Sequence, residues 1–417
     1  MILSTRKELG GRTLDRQINY LWLGLIVLAG AFSALYLGSA LYPGQLNPEA
    51  LRYFSIEQVH SAKAYSFVPR ALFITSFMLQ ATALIWLVFS HKGAAIAQWL
   101  EDRSSGHYWK SRLVYFFLLW FFLRLLKLPF ALFGNYYWQQ AWGFSTQTLG
   151  AWWFDYTKSA ALDLCLSTFG VLGFFFILKH WPKLWWAIGA TLFAVWLVLQ
   201  NLLWPVLVSP MFNHFEVVKD PAVVNLVKDL ANKAGVQVKD VLVMDASRRT
   251  TMGNAYFMGL GTTKQIVIYD NLLKNYPLVQ VKAVLAHEMG HWQKGHITKG
   301  LYLGISGNFL VWGLLALYLG KLRPTARPNR PQLWAGLQLF LLLILMVTTP
   351  LQSYISREME KEADQVSLEL TRDPSAEVGL EINLATKNLA DVSPPKFLVW
   401  FGYTHPPVLS RIEAMKE

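Results

Sequence analysis

A chain of 417 residues that is 54% hydrophobic, with 18 tryptophans and a mean hydropathy of +0.30, is too apolar for a soluble enzyme of its length and reads as a membrane protein. Its formal net charge of +12 comes from basic residues dispersed in short clusters between apolar runs, the pattern of loops on one side of a membrane rather than of a nucleic-acid surface, so no nucleic-acid partner is expected. The single cysteine, Cys165, lies inside an apolar run; it excludes an intrachain disulfide and a cysteine-built zinc site and reads as a small buried hydrophobe.

Residues 1–18 carry Arg6, Lys7, Arg12 and Arg16 and give way to an apolar run at about 19–42, too long for a signal-peptide core, which is the first expected span. Four more follow at about 68–90, 113–134, 159–178 and 184–208, each near the roughly 20 residues that cross a bilayer, so residues 1–208 form an N-terminal membrane region of five spans. Composition changes at Ser209-Pro210. Residues 209–299 resemble a soluble domain, with helical periodicity from Pro221 to Ala234 and strand-like runs at Val241 to Met244 and Gln265 to Tyr269. Residues 300–352 hold two further spans, about 300–320 and 332–352, around a loop with Lys321, Arg323, Arg327, Arg330 and Pro324, Pro328, Pro331. Residues 353–417 turn polar, beginning with a helix to about Leu370. The expected fold is a mainly α-helical polytopic membrane protein of seven spans, with a small α+β catalytic domain assembled from 209–299 and 353–417.

The stretch Ala286-His287-Glu288-Met289-Gly290-His291 states a chemistry. On a helix, His287 and His291 project from one face a turn apart and can reach one metal ion, with Glu288 beside them. This is the HExxH arrangement, in which two histidines bind Zn²⁺ and the intervening glutamate takes a proton from the attacking water. Pro277 can open that helix, and Leu278, Val281, Leu285 and Met289 follow at helical spacing. In the tail, Glu360 and Asp364 share a face, so one can ligate a metal while the other orients a ligand; with Glu358 and Glu362 they can equally form a solvated acidic face. His296, five residues beyond His291, is rotated off the ligand face of a continuous helix and stays outside the zinc sphere. Arg124, Lys127, Asp163, Gln200, Asn201 and Asn308 fall within spans, where polar groups face protein or a water-filled cavity.

His287-Glu288-Met289-Gly290-His291, together with Ser356-Arg357 and Glu360 followed by Ala363-Asp364, resembles the type I CAAX prenyl endopeptidases, seven-span membrane zinc metalloproteases. Asn254-Ala255-Tyr256, ahead of the Gln265 to Tyr269 strand, is similar to that family's Asn-Ala-Tyr element, and His405-Pro406-Pro407 with Arg411 to its C-terminal motif. The resemblance implies a ring of seven helices around a water-filled chamber closed by a zincin-like domain. It implies one zinc ion held by His287, His291 and Glu360, with Glu288 as general base and Asp364 holding a ligand histidine. It implies a substrate strand added along Asn254, Ala255 and Tyr256, with His405 and Arg411 near the scissile carbonyl. Read without it, Asn254 is a turn residue after Gly253, His405 a loop residue before two prolines, and Arg411 a position on an exposed terminal helix.

A non-proteolytic transporter or a scaffold with structural zinc is the reading from a different class. Neither an internal repeat nor paired interrupted helices support transport, and no fourth Cys or His closes a structural zinc set. A cytoplasmic N-terminus gathers Arg6, Lys7, Arg12, Arg16, then Lys92, Arg103, Lys110, Arg112, then Lys179, Lys183, then Lys321, Arg323, Arg327 and Arg330 on one side, whereas Asn135 to Tyr156 has no Lys or Arg. The positive-inside rule then turns the zinc domain away from the cytoplasm, as in a bacterial inner-membrane protein with a periplasmic catalytic domain. The eukaryotic members of the family open toward the cytosol. On the periplasmic side prenylated C-terminal peptides are not evident substrates, and broader quality-control proteolysis is the alternative. Peptide or protein substrate and membrane lipid are the expected partners.

Overall fold

The computed structural model describes residues 20–259, 265–321 and 330–416. Among these, seven helical stretches are long and apolar enough to cross a membrane. Arg6, Lys7, Arg12, Arg16, Pro324, Arg323, Arg327 and Pro328, which enter the charge argument and the basic loop, lie outside the described residues.

Helix α1, Tyr20–Leu41, carries no charge at either end. Helix α2, Ile56–Phe89, opens on a capping box in which Ser55 accepts from the Gln58 N–H and the Gln58 side chain accepts from Ser55 N–H. Helix α3, Tyr108–Leu132, continues through a wider turn at Phe133–Tyr137 to Ala141. Helix α4 is Leu149–His180, and α5, Trp185–Leu203, continues to Phe212. Helix α8, His296–Lys321, and α9, Gln332–Thr371, complete the seven. Over the described residues the sequence spans match these helices to within a residue or fall inside them, but α2 and α9 are much longer than the apolar runs. At about 1.5 Å per residue, the 40 residues of α9 reach about 60 Å, twice a bilayer's hydrocarbon thickness. The boundary expected at 352/353 therefore falls inside one unbroken helix, which carries the seventh span and Glu360 alike. Pro350 does not break it.

Half of the most apolar stretch of α9 is buried, against 28% or less in the other six, which makes α9 the central helix of the bundle. Fully buried Trp22, Ile74, Phe116, Phe175 and Phe340 tie α1, α2, α3, α4 and α9 into one core. Trp22 meets Phe89, Tyr318 and Phe340 edge-on and donates its indole N–H to the Tyr318 carbonyl at 3.0 Å. Arg124 and Asp163, both read as polar span residues, face each other at 3.7 Å, and Trp120 donates to Asp163 at 2.8 Å. Asn308 donates to the Ala190 carbonyl at 2.8 Å. Cys165 departs from the reading above: it is exposed on α4. In a span, lipid solvates an apolar side chain, so an apolar run does not require burial in protein.

Outside the spans, strands β1 (Phe215–Val217), β2 (Asp240–Met244), β3 (Ala255–Met258) and β4 (Gln265–Tyr269) form a sheet in the order β1-β2-β4-β3. β2 and β4 run parallel, β1 and β3 antiparallel to their neighbours, and β3 is an edge strand. Helix α6, Pro221–Ala234, starts on the Asp220 cap, ends on Gly235 at φ +65°, and buries Val223, Val227, Leu230, Ala231 and Ala234 along one face. That face packs with Ile266 and Ile268 of β4 and with Val281, Leu285 and Met289 of helix α7, Leu278–Gln293.

The apolar face of α7 thus rests on the sheet domain, while its motif face turns to α9. Gly290 permits the approach: a Cβ there would stand 2.8 Å from the Ala363 carbonyl oxygen and 2.9 Å from the Ala363 Cα. Because backbone rather than a flexible side chain is in the way, Gly290→Ala is expected to force the two helices apart and cost about 1–3 kcal/mol. A thermal-unfolding midpoint and bound-metal measurement check this; an unchanged midpoint contradicts the close-approach account.

Candidate active site

Two helices build the site. His287 and His291 stand one turn apart on α7, and the close crossing at Gly290 brings Glu360 of α9 opposite them. The His287 Nε2 and His291 Nε2 atoms are 3.2 Å apart, His287 Nε2 lies 3.2 Å from Glu360 Oε2, and His291 Nε2 lies 3.5 Å from Glu360 Oε1. Among the described residues this is the grouping that offers three metal-ligating atoms together. His287 Nδ1 meets Asp364 Oδ1 at 2.8 Å, one turn after Glu360 on the same helix. Glu360 and Asp364 of α9 therefore both serve one histidine, Glu360 at Nε2 and Asp364 at Nδ1.

Arg411 lies on helix α11, Val408–Ala414, which packs on helix α10, Pro374–Lys387. Its guanidinium grips Asp364 in a two-pronged contact, Nε to Oδ2 at 2.9 Å and Nη2 to Oδ1 at 2.6 Å, and sets Nη1 2.7 Å from Glu381 Oε1. Arg411 is thus neither exposed nor among the atoms around His287 Nε2: it stands behind Asp364. Burial works against its charge, but Glu381 and Asp364 outweigh that and push its pKa further up. His405 is different. Its side chain is 60% exposed, and its Nε2 sits 3.4 Å from Glu360 Oε2. The loop that carries it is fixed from the helices: Arg357 Nη1 donates to the Val399 and Tyr403 carbonyls at 2.8 and 2.7 Å, and Arg70 of α2 bonds Asp391 and the Tyr403 hydroxyl.

Glu288 is next to the histidines but outside their cluster, and it accepts a hydrogen bond from the Phe257 N–H of β3. That contact ties the motif helix to the edge strand. Because the Tyr269 N–H bonds the Asn254 carbonyl, Asn254, Tyr256 and Met258 direct their main-chain groups at β4, and Ala255 and Phe257 direct theirs to the open edge. The Asn254 side chain is exposed, its Oδ1 2.9 Å from the Ala255 N–H, while Tyr256 turns to the far side of the sheet against Met244 and Tyr269.

Electrostatics follow from this packing. Burial opposes a charge on His287, but hydrogen bonds to Asp364 and Glu360 outweigh it and raise the imidazole to about 10. A proton and a metal ion therefore compete for this nitrogen, and metal affinity falls with falling pH. Burial is also the largest influence on Glu288; the neighbouring histidine charges and the Phe257 N–H offset part of it, and its carboxyl stays above the usual glutamate range. A carboxylate raised in this way is a better proton acceptor at neutral pH.

The donor set fits a small divalent cation. Bonds of roughly 2.0–2.1 Å in a tetrahedral site place ligand atoms about 3.3 Å apart; the two Nε2 atoms are 3.2 Å apart, and each has a Glu360 oxygen near it, Oε2 at 3.2 Å from His287 and Oε1 at 3.5 Å from His291. Glu360 Oε2 is buried with imidazole nitrogens beside it, His287 Nε2 at 3.2 Å and His405 Nε2 at 3.4 Å, and where His287 Nε2 presents its lone pair a cation would satisfy this oxygen.

A seven-span bundle whose central helix supplies a carboxylate to an HExxH helix defines an integral membrane metalloendopeptidase. Residues 218–417 match the model of peptidase family M48, and residues 41–214 match that of the CAAX prenyl protease N-terminal region with five membrane helices. The chain belongs to peptidase family M48, in its CAAX prenyl protease branch. It is 29% identical to the uncharacterized metalloprotease YhfN of Bacillus subtilis over 84% of either chain, and 29% identical to CAAX prenyl protease 1 of Saccharomyces cerevisiae over 70% of this chain and 69% of that one. The crystal structure of S. mikatae Ste24p has the same fold, with a TM-score of 0.76 at 24% identity, over 94% of this chain and 96% of that one. The fold class, the reaction class and the membrane-protein class expected from the sequence all stand.

His296 stays outside the three-donor cluster, as expected, but it comes closer to His291 than a continuous helix allows. It is 5% exposed, and its Nδ1 lies 2.8 Å from His291 Nδ1. The signal was Gly295: at φ +66° it ends α7 and restarts the chain as α8, so the angular argument for a continuous helix does not apply.

Proposed function

We propose that the protein is a zinc endopeptidase in which His287, His291 and Glu360 hold one zinc ion per chain and Glu288 is the general base. The observation that carries this reading is the pair of Nε2 atoms 3.2 Å apart, each with a Glu360 oxygen at 3.2 or 3.5 Å, together with a raised carboxylate outside that cluster on the same helix. Bound there, zinc supplies Lewis-acid polarisation of the scissile carbonyl and acidifies the attacking water. Glu288 accepts the proton of that water and returns it to the leaving amine. Asp364 holds His287 in the tautomer with a free Nε2, and Arg411 fixes Asp364 from behind, so Arg411 acts as a positioning residue. His405, exposed beside Glu360, is the donor toward the developing oxyanion. The outward carbonyls of Ala255 and Phe257, flanked by Asn254, accept from the N–H groups of the peptide as an added strand, while Tyr256 supports the strand from the far face.

The relatives named CAAX prenyl protease 1 support a prenylated C-terminal peptide as the substrate. A second reading is favoured by the loop charges. Lys92, Arg103 and Lys183 between spans, with Lys110 and Lys179 at span ends beside them, fall on the side opposite the sheet domain by the alternation of the spans, which supports a bacterial inner-membrane protein whose site faces the periplasm and meets unmodified peptides. One experiment separates the two: cleavage of a farnesylated CAAX peptide and its unmodified twin by purified protein, with Glu288→Gln as the blank. Selective cleavage of the farnesylated peptide supports the first reading, and equal cleavage supports the second. Cleavage of neither by zinc-loaded protein overturns the proposed function. For the orientation, alkaline phosphatase fused to the C-terminus is expected to be active in a bacterial host; an inactive fusion overturns a periplasmic site.

A further inference from the structure

The two histidines of the motif are held differently at their outer nitrogens. His287 Nδ1 has a carboxylate, Asp364, in direct contact. His291 Nδ1 has no carboxylate partner among the described residues and instead meets His296 Nδ1 at 2.8 Å. His296 in turn reaches Glu362 through Nε2 at 3.0 Å, and Lys299 closes the chain on the same Glu362 oxygen at 3.1 Å. The elements make this possible: Gly295 turns the chain so that His296 opens α8 directly beneath His291, and Glu362 arrives from α9 two residues after Glu360.

We propose that His296, backed by Glu362 and Lys299, is a positioning residue that fixes the tautomer and ring orientation of His291 through an imidazole-to-imidazole relay. This rests on the reading of His291 as a metal ligand. A ligating Nε2 must present its lone pair, so the His291 proton sits on Nδ1 and is donated to His296 Nδ1. His296 then carries its own proton on Nε2 and donates it to the Glu362 carboxylate. That is the one assignment in which every nitrogen of the relay has a complementary partner. The relay does for His291 what Asp364 does for His287, through one more residue. Carboxylate and carbonyl partners of ligand histidines raise ligand basicity and fix ring geometry, and their loss typically weakens metal binding about 10–100-fold.

The test is the zinc dissociation constant of the full-length, detergent-purified protein, measured by competition with a chromophoric chelator. His296→Ala and His296→Leu are both expected to weaken zinc binding about 10–100-fold, while His296→Asn, whose Oδ1 can accept from His291 Nδ1, restores most of it. A filling role alone would be rescued by Leu and not by Asn, and that pattern overturns the proposal. So does wild-type zinc affinity in His296→Ala. If the His296 variants do not fold, Glu362→Ala carries the test: its side chain is 42% exposed, and a several-fold weaker zinc site is expected, whereas unchanged affinity overturns the relay. His291→Ala separates this inference from the reading beneath it. Retained zinc in His291→Ala defeats the ligand assignment itself; lost zinc there with wild-type affinity in His296→Ala defeats the relay alone.

Discussion

Glu288→Gln is expected to lower peptide hydrolysis by about 10²–10⁴-fold, the usual contribution of a positioned general base, while the protein keeps its zinc. Glutamine has the shape of glutamate and can still accept the Phe257 N–H, so neither α7 nor its tie to β3 is disturbed. What it lacks is a basic oxygen for the proton of the attacking water. Glu288 is not among the three clustered donors, so zinc content is expected to match the wild type. Turnover of a fluorogenic peptide, with zinc measured on the same preparation, checks both halves. Activity within tenfold of wild type removes Glu288 as the base, and loss of zinc makes it part of the metal site instead.

Glu360→Ala is expected to have the larger effect on the metal. It leaves two imidazole nitrogens 3.2 Å apart with no anionic donor opposite them. Loss of an outer-shell partner already weakens metal binding about 10–100-fold, so loss of this ligand is expected to cost at least about 100-fold and to abolish hydrolysis. His405 loses its neighbour as well, since Glu360 Oε2 lies 3.4 Å from its Nε2. Zinc content after gel filtration and peptide turnover are the readouts. Full occupancy with full activity excludes Glu360 as a ligand. Glu360 sits on α9, whose Asp364 and buried apolar face are untouched by the change, so unfolding is not the expected outcome.

Much of this was legible in the sequence because membrane spans and a metal-binding helix both write strong local patterns. Seven apolar runs and two histidines at helical spacing need no knowledge of the tertiary structure. That Glu360 stands beside the two histidines was legible only through the family resemblance: a residue from a distant helix has no fixed spacing from the motif, and its acidic neighbours offered an equally good solvated face. The extent of α9 was hidden because hydropathy reports where lipid ends, not where a helix ends. The surroundings of Arg411 are not legible in the sequence: read without the resemblance it falls on an exposed terminal helix, whereas its partners Asp364 and Glu381 come from two other helices. The contact of His296 with His291 is hidden from a helical wheel, because a single left-handed glycine interrupts the helix between them.

Zinc titration back into chelator-stripped protein tests the central claim most directly. The account predicts that hydrolysis is lost on stripping and returns in proportion to added zinc, reaching its plateau at one zinc per chain. Full hydrolysis by the stripped protein, or a plateau that requires two zinc ions per chain, contradicts it.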